Sequence, residues 1–156
     1  QMPLCMTPAL NNEVFMTPLS PAICALLCFT ALTVVLALGY VSYRVALVLS
    51  FKAPANSWTR GAASHADPAI VTRVQHAHMN CLENLPVFAA VVFIAYAMGQ
   101  LALIDELAMI FIGLRVAQSA VHVINTNATM VFIRGNLWLA QMSIIVFWLY
   151  QLYAAH

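Results

Sequence analysis

The chain has 156 residues, 63% of them hydrophobic and only 7% charged, with a formal net charge of +1 and a mean hydropathy of +0.89. Soluble domains carry about a quarter of their residues as Asp, Glu, Lys and Arg, so a soluble globular fold is excluded, and the absence of a basic run argues against nucleic acid, which is bound through clustered Lys and Arg. The reading is an all-α, multi-pass membrane protein: an extension over residues 1–18, then one four-helix transmembrane domain over residues 19–156.

The extension carries Pro3, Pro8 and Pro18 and is read as a surface-lying or floppy segment. The first helix is expected from about Ser20 to Ser50. It is longer than the roughly 20 residues a span needs and lacks a basic leader with a small-residue cleavage site, so it is read as a retained helix and not a removed signal peptide. Arg44 lies towards its interfacial end. The stretch "KAPANSWTRGAASHADP" then supplies Pro54 and Gly61 among Asn, Ser and Thr, a solvent-facing connection. Asp67-Pro68 reads as an N-cap followed by proline at the first helical position of helix 2, which ends in the apolar run Leu85 to Met98.

A short acidic link with Asp105 and Glu106 leads to helix 3, Leu107 to Ile124, and "NTNATMVFIRGN" leads to helix 4, Val131 to Tyr153. Lys52, Arg60 and Arg73 flank the first connection and Arg134 the third, whereas the acidic link has no Lys or Arg. By the positive-inside rule the first and third connections are cytoplasmic and both chain ends outside; in a bacterium this would be the inner membrane. No internal repeat is visible. Cys5, Cys24, Cys28 and Cys81 form no CxxC pair and read as packing residues.

The stretch "RVQHAHMNCLENLPVF", residues 73–88, is polar where lipid should surround it. On a wheel of about 100° per residue, Arg73, His76, Asn80, Glu83 and Asn84 share one arc of about 100°, while His78 and Cys81 point elsewhere; His78 is read as a helix-packing donor. Pro86 follows one turn after Glu83 and is expected to loosen the backbone. In helix 3, Arg115, Gln118 and His122 fall within about 60° of one another, with Asn125 nearly in line. A lipid-facing charge at bilayer depth costs about 2.5 to 3.5 kcal/mol, so Arg44, Glu83 and Arg115 must meet one another, water or a ligand. Glu83 paired with Arg44 or Arg115 is the structural reading; two polar stripes facing each other across a hydrated pocket is the functional one.

A metal site of His76, Glu83 and His122 is disfavoured because the Glu-x-x-His pairs of carboxylate-bridged bundles are missing. A nucleophilic Cys81 with His78 is weaker still. Trp58, Trp138, Trp148, Tyr150 and Tyr153 read as interfacial or core residues.

With its arginine, Ala-His, Asn, Glu-Asn and the following proline and aromatic, the helix 2 stretch resembles the signature of the MAPEG family, the membrane-associated proteins of eicosanoid and glutathione metabolism. "APANS", "GLRVAQSAVH" and an arginine just before helix 4 follow in the expected order, and the motif looks closest to the microsomal glutathione transferases. The resemblance implies a homotrimer of four-helix protomers with glutathione, as co-substrate, between subunits on the cytoplasmic side. Such proteins conjugate glutathione to lipophilic electrophiles, reduce lipid hydroperoxides, or form leukotrienes or prostaglandins.

Carried onto this chain, the resemblance makes Arg73, Asn80 and Glu83 glutathione-binding with Arg115 as the helix 3 arginine, and makes Arg134 the catalytic residue facing the thiol; the polar stripes add His76 and Gln118 to the expected binding residues and His122 to the catalytic ones. The chemistry agrees: arginines for the two carboxylates, Glu83 for the ammonium, Asn80 for the peptide, and Arg134 to stabilise a thiolate. Departures are Met79 where prostaglandin-forming members have a basic residue, His122 where many have tyrosine, Gly135 without a hydroxyl, and Val48 where a helix 1 arginine is expected. The rival readings are a non-catalytic MAPEG-like structural or accessory subunit of a larger membrane complex, and a quinone or thiol-redox protein.

Overall fold

The computed structural model describes residues 19–59 and 64–156. The expected extension over residues 1–18, with Cys5, and Arg60 and Gly61 of the first connection lie outside the described residues. Four helices follow one another: α1 Pro21–Leu49, α2 Ala69–Ala97, α3 Ala102–Ile124 and α4 Ala128–Ala154. All four are long and apolar enough to cross a membrane, which establishes the expected all-α transmembrane bundle. α1 packs along α2 and α3, while α4 packs mainly along α3, meets α2 over a short stretch and has no close contact with α1.

Local chemistry explains where the helices start and stop. Ser20 caps α1, its hydroxyl accepting from Ala22 N at 3.2 Å with Pro21 in the first turn, as the N-cap preference predicts. The same end is held by Asp105 from the first turn of α3, whose carboxylate accepts from Ala22 N at 2.9 Å and from the Ser20 hydroxyl. Asp105 therefore belongs to a helix and not to a loop: α3 begins five residues earlier than its apolar run suggested, and the link from α2 is only Met98 to Leu101.

α2 ends on Gly99 at φ 68°, with Gly99 N donating to Tyr96 O and Gln100 N to Ala95 O, the paired bonds of a left-handed helix stop. α1 ends in the same way on a residue ill-suited to it, Phe51 at φ 58° and 97% exposed. Phe51→Gly is expected to stabilise the protein by about 1 kcal/mol, since the left-handed conformation costs a non-glycine residue roughly that much; thermal denaturation in detergent measures it.

Asp67 does not cap α2, which starts after Pro68 with no side-chain cap bond. Its carboxylate is instead claimed by Arg44 Nε at 2.9 Å and by Trp58 Nε1 at 2.9 Å, and the Arg44 guanidinium also donates to Gln75. An interfacial cation on α1 attracts a nearby carboxylate more strongly than a neutral helix end does. Arg44 is thus paired with Asp67, not Glu83.

The core is aromatic, with one ring from each helix: Phe29, Phe88, Phe111 and Trp148, all fully buried. Phe88 and Phe111 stack at 4.5 Å, and Trp148 lies 5.9 and 5.6 Å from them. Small residues let the backbones close around these rings: Ala22, Ala25, Ala77, Ala95 and Ala108 are buried, and a Cβ on Gly39 would come within 3.2 Å of Val74. His78 sits among them with Nδ1 at 3.0 Å from Thr33 O, the helix-packing donor read from its position. Cys81 is buried with its sulfur 3.6 Å from the Ser119 hydroxyl.

Candidate functional site

Near the end of the bundle that carries the first and third connections, three helices open a cleft of about 470 Å³. α2 supplies His76, Met79, Asn80 and Glu83; α3 supplies Gln118 and His122; α4 supplies Val131, Arg134, Gly135 and Trp138. The spacings are helical in each case, three or four residues apart, so each helix turns one continuous stripe to the opening. The volume lies in the range of small-molecule sites, about 300 to 1,000 Å³.

The polar walls differ in how firmly they are held. Asn80 is braced from within its own helix, Asn84 Nδ2 donating to both its backbone and its side-chain oxygen at 2.8 and 3.2 Å. Gln118 accepts from Gln141 Nε2 at 2.9 Å, and that amide also donates to Leu137 O. The rings of His76 and His122 lie with centroids 6.2 Å apart, tilted 55° to one another. His76 and Glu83 are exposed at the rim, Arg134 is half-buried, and His122 lies deep. Among the described residues, no three His, Cys, Asp or Glu side chains gather as a metal site would require.

Of the site residues predicted from sequence, the fold brings His76, Asn80, Glu83, Gln118, His122 and Arg134 together, and does not bring Arg73 or Arg115 to the cleft lining. Arg73, one turn before His76, donates from Nε to Val123 O at 2.7 Å and ties α2 to the last turn of α3, where helix carbonyls lack intrahelical partners. Arg115 is fully buried two turns inward from His122, its guanidinium 5.1 Å from the Phe29 ring centroid and without a hydrogen-bond partner among the described residues. The α3 stripe is continuous, but only its outer end reaches the opening; its inner end packs on α1.

Four lining residues, Met79, Val131, Gly135 and Trp138, are not among those expected from sequence to form the site. Trp138, taken as interfacial or core, lines the cleft; its position four residues after Arg134 is the signal that places both on one face. Met79 and Val131 complete the apolar wall, and nothing in their residue types announces it.

Four membrane-length helices, three of which line one polar cleft, define a polytopic membrane protein with a polar site within its helical bundle. The model of the MAPEG family matches residues 21–154, and the chain belongs to that family. No curated protein matches the chain, and no solved structure does. Family membership sets it among membrane-associated proteins of glutathione and eicosanoid metabolism in general.

Proposed function

We propose that the chain is a membrane-bound glutathione transferase or glutathione-dependent peroxidase that works as a homotrimer on lipophilic electrophiles or lipid hydroperoxides. One observation carries this reading: an anion, an amide and a cation, Glu83, Asn80 and Arg134, line a single cleft large enough for a tripeptide. Glu83 takes the γ-glutamyl ammonium, Asn80 the peptide, and Arg134 the sulfur, with His76 and Gln118 on the flanks. Trp138, Met79 and Val131 form the apolar wall against which an electrophile from the bilayer approaches the thiolate. The protein's contribution is orientation and charge stabilisation.

Glutathione brings two carboxylates and a thiolate, yet Arg134 is the one arginine among the described residues lining the cleft. That shortfall supports a site shared between subunits, with the neighbouring copy and the free edge of Arg73 supplying the carboxylate grips. Arg115, deep in the bundle, is better suited to a structural role than to the carboxylate role first considered for it. The first and third connections, and with them the cleft, face the cytoplasm in this reading.

Glu83→Gln is expected to weaken glutathione binding about tenfold or more, the usual worth of a charge-assisted hydrogen bond, measured by titration calorimetry of the protein in detergent. Absence of binding by the unsubstituted protein at millimolar glutathione would favour the accessory-subunit reading, to which Gly135, without a hydroxyl, already lends some support.

A further inference from the structure

We propose that His122 serves the cleft as a neutral hydrogen-bond donor through Nε2, steadying a thiolate sulfur beside Arg134, and not as the base that removes the thiol proton. The proposal rests on the glutathione reading above and assigns a role within that site.

His122 is 8% exposed yet lines the cleft. Its Nδ1 is shut off from solvent with no hydrogen-bond partner among the described residues, which leaves Nε2 as the ring nitrogen open to the cleft. A neutral imidazole carries one proton, and hydrogen bonding decides which nitrogen holds it. A proton on Nδ1 would be a buried donor with nothing to accept it, whereas a bare Nδ1 lone pair is the milder defect, as orphaned acceptors are tolerated more often than orphaned donors. The proton therefore sits on Nε2 and points into the cleft.

A general base would need the opposite tautomer. After taking the thiol proton it would hold both N–H groups, one of them buried and unpaired, and would form a second cation next to Arg134. The nearby cations argue the same way: α4 presents Arg134 and α3 itself carries Arg115 two turns inward; α2 presents His76 and one anion, Glu83, which stands at the exposed rim where water screens it, and α1 contributes nothing to the lining. In the proposed step the glutathione S–H bond breaks, the electron pair stays on sulfur, and the proton leaves to water at the exposed rim. Arg134 supplies the compensating charge and Nε2–H the directed hydrogen bond.

The test uses the full chain in detergent with saturating glutathione, following the ultraviolet absorbance of the bound thiolate against pH for His122→Phe, His122→Gln and His122→Tyr, with binding checked by calorimetry. His122→Phe is expected to lower the ionised fraction about tenfold at neutral pH, equivalent to about one pH unit in the thiol's titration, while still binding glutathione. Glutamine and tyrosine, which donate but do not act as imidazole bases, are expected to keep most of the thiolate. Thiolate unchanged in the phenylalanine variant, or lost as fully in the glutamine and tyrosine variants as in phenylalanine, overturns the donor role while leaving the glutathione reading intact. Failure of the unsubstituted protein to bind glutathione overturns both.

Discussion

Alanine in place of Arg134 is expected to cut the rate of glutathione conjugation to a chlorinated nitroaromatic by about 10²- to 10³-fold, the usual effect of removing one preorganised charge-stabilising group. Glutathione affinity is expected to fall far less, because in the proposed binding mode Glu83 and Asn80 hold other parts of the tripeptide. The reason lies in acid–base chemistry: a free thiol with pKa about 8.5 is mostly protonated at neutral pH, and a neighbouring guanidinium shifts it towards the reactive anion. Arg134 is the arginine lining the cleft and stands half-buried there, where water screens it incompletely. Thiolate absorbance of bound glutathione measures the effect separately from turnover. If the variant retained its thiolate, the activating charge would have to come from a neighbouring subunit.

Trp148→Ala is expected to destabilise the bundle by about 3 to 5 kcal/mol, the range for removing a large aromatic side chain from a packed core. Trp148 is fully buried and touches rings from two other helices. It is the largest of the four buried side chains of α4, a helix that packs mainly against α3 and buries less of itself than the other three spans do. Chemical denaturation in detergent checks the figure; a loss under about 1 kcal/mol would mean that α4 is held by something other than this aromatic cluster.

The four helices were legible because apolar length and punctuating Pro, Gly and Ser mark spans with little ambiguity. The polar stripes of α2 and α3 were legible for the same reason that they line one cleft: helical periodicity puts His76, Asn80 and Glu83, and Gln118 and His122, on single faces. A wheel reports direction around an axis and nothing of depth along it. Hence Arg115 shares a face with His122 yet packs against Phe29, and Arg73 shares a face with His76 yet spends its Nε on the end of α3. Asp67 illustrates a different loss. Its cap role was a sound local inference, but the Arg44 guanidinium 23 residues earlier won the carboxylate, and competition across that distance leaves no trace in a local pattern.

The Asp105 clamp bears on how the protein is made. The first turn of α1 is closed in part by a carboxylate 83 residues downstream, so until that carboxylate arrives the Ala22 amide has the Ser20 hydroxyl alone as its side-chain acceptor. This clamp between α1 and α3 can form only after the second and third spans have been threaded.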